Sequence, residues 1–142
     1  MPVDPIPEGY SVVTPYLVVH DAPGLMKFVE QAFGGRERMR MTGPDGSIRH
    51  GEFDIGNARV MVAEASKEFP PIPAMLHVYV EDVDAVYERA LGAGAESLAE
   101  PADQFYGDRM AGVRDVFGNQ WWLATHFEDV SAEEAERRQA AH

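Results

Sequence analysis

Apolar positions along the chain follow two different periods, and the order of those periods repeats. After an extended ten-residue arm with three prolines, Val12 to Val19 (VVTPYLVV) is dense in β-branched and aromatic residues and predicts a strand, which Pro15 confines to an edge or a bulge. The period then lengthens. Asp21 or Ala22 opens a helix, and Pro23 sits in its first turn, where a missing N–H costs nothing. Leu25, Phe28, Val29, Ala32 and Phe33 form its apolar stripe up to the Gly34-Gly35 stop. Strands follow over about 37–42, 47–54 and 59–65, separated by the turns Gly43-Pro44-Asp45-Gly46 and Gly56-Asn57.

The series then starts again. Residues 66–73 (SKEFPPIP) read as a linker, Met75 to Glu81 (MLHVYVE) as a strand, and Val83 to Leu91 as a helix with Asp82 as N-cap and Val83, Val86, Tyr87 and Ala90 inside. Gly92 and Gly94 end it, and strands near 96–99, 109–116 and 120–126 complete a second βαβββ unit. A shift of 61 residues lays Val18-Val19-His20-Asp21 on Tyr79-Val80-Glu81-Asp82, and helix falls on helix. Under that shift Ile55-Gly56-Asn57 lies one residue from Phe117-Gly118-Asn119. The fold class is therefore α+β. Its parts are an arm over 1–10, a first module over 11–65, a linker over 66–73, a second module over 74–128 and a helical tail over 129–142, all one structural domain. Ser131-Ala132-Glu133-Glu134 has the form of a capping box and opens the tail helix, which carries only alanines on its apolar side and is expected to dock loosely.

Composition narrows the function classes. The 142 residues include no cysteine, which excludes a disulfide framework, thiolate metal sites and a thiol nucleophile. Asp and Glu outnumber Lys and Arg 24 to 12, for a formal charge of −12, so neither nucleic acid nor an anionic membrane surface is an expected partner. The opening MPVDPIPEGY has neither the basic nor the apolar region of a signal peptide, and the simplest expectation is a soluble cytoplasmic protein.

The tandem modules, opened by VTPYLVVHD and HVYVEDVDAV, resemble the vicinal oxygen chelate superfamily of glyoxalases, bleomycin-resistance proteins and extradiol dioxygenases. DQFYGDR (Asp103 to Arg109) and VRDVFGNQWWLATHFEDVS (Val113 to Ser131) are similar to its PhnB-like branch. The resemblance implies a half-open, eight-stranded β cup enclosing a concave site, within one chain or across a homodimer. In metal-dependent relatives four inward positions carry His, Gln or Glu. Carried over, they fall here on Thr14, Met61, Met75 and Trp122, none of which suits a hard cation. A register two residues along replaces Thr14 by Tyr16 and Met75 by His77 on the same strand faces.

Three readings of the cup follow. In the first, no cofactor is held, and Thr14, Tyr16, Met61, Met75, His77, Tyr79 and Trp122 line an apolar, aromatic cavity for a small organic molecule that is sequestered or converted. Phe105 and Tyr106 would add to the lining, and Tyr106 and Arg109 would cover its mouth, unless Arg109 instead pins its loop and pairs with Asp108. In the second, His50, Glu52, His77 and His126, with Glu64 nearby, converge as an offset metal set for a lyase, isomerase or dioxygenase. A cup filled by its own side chains, acting as a non-enzymatic partner module, is a third. No nucleophile–base–orienter triad can be read from spacing, because the candidates sit on different strands. His20 and His142 are set aside as ligands, one at a strand-to-helix turn and the other at the terminus.

Overall fold

A computed structural model describes residues 2–141, so His142 lies outside the described residues. The chain divides into two units, Met1–Ala74 and Met75–His142, each with its own sheet. The first runs β1 (Tyr16–Val19), α1 (Ala22–Phe33), β2 (Arg36–Thr42), β3 (Ile48–Ile55) and β4 (Ala58–Glu64). Its strand order is β1-β4-β3-β2, with β1 parallel to β4 and the other pairs antiparallel. A parallel pair needs a crossover, and the connection from β1 to β4 makes it through α1, β2 and β3. Leu25, Phe28, Val29 and Ala32 of α1 are buried with Leu17, Val19, Ile48, Phe53, Val60 and Val62 of the sheet. The alternate residues of each strand form a second face that α1 leaves uncovered.

β1 is shorter than the pattern predicts. Val12 and Val13 are 82% and 79% exposed and belong to the arm, because Pro15 has no N–H to continue the ladder; its carbonyl accepts from Met61 N at 2.9 Å and the strand begins after it. The outer edge of β1 is met by the proline-rich segment, where Ile72 N donates to Val18 O at 3.1 Å. Helix α1 begins at Asp21, whose φ of 69° is the left-handed region. Its carboxylate accepts from Gly24 N at 3.0 Å. The Glu64 carboxylate accepts from Asp21 N at 2.7 Å and Ala22 N at 2.9 Å, so Glu64 caps this helix and is committed there, not turned inward as a ligand.

The second unit repeats the order with β5 (Met75–Tyr79), α2 (Val83–Gly92), β6 (Glu96–Asp103), β7 (Asp108–Arg114) and β8 (Gln120–His126), arranged β5-β8-β7-β6. β5 runs parallel to β8 and the rest are antiparallel. Strand β7 stops at Arg114, two residues early, because Asp115 ties the following turn. Its buried carboxylate accepts from Phe117 N and Asn119 N at 2.9 Å each, from Asn119 Nδ2 at 3.3 Å and from Trp121 Nε1 at 2.8 Å. Strand β6 runs four residues past its expected end, with register irregularities around Ala99 to Ala102, where Pro101 interrupts the ladder.

Helix α3 (Ala132–Ala140) starts at Ser131, which accepts from Glu134 N at 3.1 Å, as the capping box predicts. None of its residues is buried, yet it is not merely a loose end. Arg138 grips both carboxylate oxygens of Glu128 at 2.8 and 3.1 Å and donates to Phe105 O at 3.1 Å. Among the described residues no helix is long and apolar enough to cross a membrane.

Candidate functional site

The uncovered face of the first sheet carries a row fixed by register. Tyr16 pairs with Met61, Met61 with Glu52, and Glu52 with Met39. Cross-strand partners share a face, so all four point away from α1, and His50, two residues from Glu52, joins them. Tyr16 Oη reaches across β4 to His50 Nδ1 at 2.9 Å. His50 Nε2 lies 2.7 Å from Glu52 Oε2, and Tyr10 of the arm donates its hydroxyl to Glu52 Oε1. The Arg59 guanidinium stacks 4.7 Å over the Tyr10 ring. Exposure grades along this chain, from Glu52 at 5% to Tyr16 at 47%. Burial pushes the Glu52 carboxyl up, but hydrogen bonds from Tyr10 and His50 and the charge of Arg59 outweigh it, holding the group below the ordinary carboxylate range. Burial, then the Glu52 charge, raises the Tyr16 hydroxyl above an ordinary phenol.

In the second sheet the corresponding row is His77, Trp122 and Gly112. Met75, His77 and Tyr79 alternate onto the face that α2 leaves bare, and Met75 and Tyr79 are 68% and 64% exposed. The His77 ring meets Tyr79 edge-on at 4.9 Å. Trp121 and Trp122 part as neighbours on a strand must: Trp121 is fully buried on the helix side, and Trp122 lies on the bare face with Nε1 3.1 Å from Gln120 Oε1. Tyr79 donates to Asp108 Oδ2 at 3.2 Å, while His126 bridges Asp108 and Asp129, each at 2.7 Å. A hollow of about 520 Å³ is bordered by Tyr79, Val80, Glu81, Thr125 and His126.

The remaining sequence candidates spread out. Thr14 precedes β1, and Met61 faces Tyr16 instead; Met75 pairs with Gln120, and Trp122 faces His77. Tyr106 is half-buried, its hydroxyl 3.4 Å from Met110 Sδ and its ring edge-on to Phe105 at 5.2 Å. Arg109 does not pair with Asp108, because successive strand residues point to opposite faces. It turns toward α2 and binds Asp84 at 2.8 and 3.1 Å and Asp103 at 3.1 Å. Sequence reading missed Tyr10 and Asp108 as members of the two hydrogen-bonded chains; for Asp108, its even spacing from Met110 and Gly112 was the available signal.

A hard divalent cation finds no matching donors at the positions the family pattern marks, which offer a hydroxyl, two thioethers and an indole. The offset set fits no better. The ring nitrogens of His50 are taken by Glu52 and Tyr16, both Glu52 oxygens are in use, and both His126 nitrogens bind aspartates. Among the described residues no three His, Asp or Glu side chains are grouped to hold a metal ion.

Two α-crossed four-stranded sheets in tandem, each with a bare face carrying polar and aromatic side chains, define a class, and comparison with known proteins agrees. Residues 11–123 match the Glyoxalase/Bleomycin resistance protein/Dioxygenase superfamily, and the chain belongs to it. It is 35% identical over 133 residues to protein Mb0911c of Mycobacterium bovis, covering 86% of this chain and 88% of that one. Among solved structures it is similar to TioX from Micromonospora sp. ML1, at 28% identity and a TM-score of 0.69 over 82% of this chain and 99% of that one. A PhnB protein from Bacillus cereus shares the fold at 19% identity and a TM-score of 0.66, over 81% and 99% of the two chains.

Proposed function

We propose that the chain binds a small, partly planar organic molecule without a metal ion, through the bare face of its second sheet. The observation that supports this reading is the seating of Trp122 on that face beside His77, with Tyr79 next along the strand. Stacked and edge-on aromatic contacts are worth about 0.5–1.5 kcal/mol each and suit a flat ligand. An open hollow of about 520 Å³ lies next to Tyr79, and Glu81 at its border offers a polar anchor. Tyr106 adds a second aromatic neighbour, and Met61 and Tyr16 give the first sheet a comparable surface. Arg109 is assigned to holding its loop against α2. As in many proteins with open sheet edges, a homodimer is the proposed assembly.

The test is indole fluorescence quenching and calorimetry with a panel of planar aromatic compounds, with and without chelator. Saturable binding unchanged by EDTA and lost in Trp122→Ala supports the reading. A stoichiometric metal in protein purified without chelator, with binding abolished on its removal, would overturn it.

A further inference from the structure

We propose that Tyr16, His50 and Glu52 form a metal-free proton-transfer site on the first sheet, acting on a small planar substrate with a weakly acidic C–H or O–H bond. It rests on the preceding reading only in taking the ligand to be small and planar. The polarity of the chain follows from valence. An ionised carboxylate only accepts hydrogen bonds, so the Tyr10 hydroxyl and His50 Nε2 both donate to Glu52. With its proton on Nε2, a neutral His50 ring presents a lone pair at Nδ1, and the Tyr16 hydroxyl donates to it. The outer lone pairs of the Tyr16 oxygen remain for a ligand, on the most exposed member of the chain.

This is the relation of reacting hydroxyl, base and orienting carboxylate that makes a hydroxyl reactive elsewhere. It is assembled from strands β1 and β3 across the Met61 strand between them. The step balances without another reactant. The substrate C–H or O–H bond breaks, its proton bonds to Tyr16 Oη, and the proton of Tyr16 moves to His50 Nδ1. The electron pair stays on the substrate, where it delocalises or expels a leaving group, and the imidazolium is held by Glu52. Return of the proton along the same path completes an isomerisation. Tyr16 and His50 are the catalytic residues, and Glu52 and Tyr10 position them. The raised ionisation of Tyr16 keeps its hydroxyl protonated near neutrality, the state that can hand a proton on. The charged and titratable groups bordering the chain include Tyr10, Arg59 and Asp54, which pairs with Arg59 at 2.9 Å.

The probe is 5-nitrobenzisoxazole, a planar carbon acid whose deprotonation breaks its N–O bond and releases a coloured phenolate. Wild-type protein in EDTA should open it faster than an equal concentration of free imidazole. Tyr16→Phe, which keeps the ring, and His50→Gln should each lower the excess rate by about 100-fold or more. Nitrogen-resolved NMR should show His50 protonated on Nε2, and Glu52→Gln should shift that tautomer balance, which a purely structural carboxylate would not require. A wild-type rate no higher than imidazole, a Tyr16→Phe rate equal to wild type, or an Nδ1-protonated His50 would each overturn the proposal. Probe binding is followed separately by Trp122 quenching. Binding without turnover sinks the relay alone, and turnover without quenching upholds the relay while counting against the second-sheet binding face.

Discussion

The indole of Trp122 lies directly on Gly112, so that a β-carbon at Gly112 would come within 2.5 Å of Cζ3 and 2.7 Å of Cε3. Trp122 can occupy the bare face of the second sheet only because its cross-strand neighbour has no side chain. Gly112→Ala is therefore expected to force the indole from its seat and to destabilise the protein by about 1–3 kcal/mol, the usual cost of overpacking. Near-UV circular dichroism and denaturant midpoints check both effects. An unchanged tryptophan signal would contradict the contact.

Asp115 is the knot of the β7–β8 turn. Replacing it by Ala removes the acceptor for two backbone amides, the Asn119 side chain and the Trp121 indole in a fully buried place. Each lost buried hydrogen bond costs about 1–3 kcal/mol, so the variant should lose at least about 3 kcal/mol or fail to fold. Asp115→Asn, which keeps one acceptor oxygen, should recover part of it. Urea unfolding of the two variants gives the comparison.

His126 supplies a pH dependence with a definite sign. Its hydrogen bonds to Asp129 and Asp108, and then the charges of those two groups, raise its pKa above the ordinary imidazole value of 6.5. A raised folded-state value means that the stabilisation is complete below the unfolded pKa and disappears as pH climbs through the folded one. Asp129 is fully exposed and Asp108 is buried, so salt should weaken the first contact more than the second. NMR titration of His126 should give a midpoint above 6.5, and His126→Gln should flatten the stability curve between the ordinary imidazole value and that midpoint.

Glu64 and Arg138 make a contrast between a cap and a clasp. Glu64→Ala leaves two N-terminal amides of α1 without their carboxylate and should cost about 1–2 kcal/mol globally, measured by thermal unfolding. Arg138→Ala releases an exposed tail and should cost under about 1 kcal/mol, while speeding amide exchange and proteolysis after Val130. A large global loss in the second variant would mean that α3 is a structural element of its unit.

The element order was legible because it depends on local patterning. Alternation separated Trp121 from Trp122, and the glycine pair at 34–35 marked the end of α1, where Gly34 N donates to Glu30 O. Boundaries slipped where a single side chain decides them, as Pro15 does for β1 and Asp115 for β7. The paired orientation of His50 and Glu52 was visible from their spacing. The arrival of Tyr16 was not, since it depends on β4 lying between β1 and β3 and on a tyrosine long enough to span it. Tyr10 comes from an arm with no periodicity to place it. The family's metal positions were legible only as residue types; the pairing of Met61 with Tyr16 and of Trp122 with His77 is a fact of register.

The hydrogen bond from Ile72 to Val18 has a consequence for self-association. Unsatisfied strand margins recruit other chains into runaway polymers, and here the chain's own proline-rich segment stoppers that margin of β1. Loosening residues 66–73 would then open that margin to pairing with another chain.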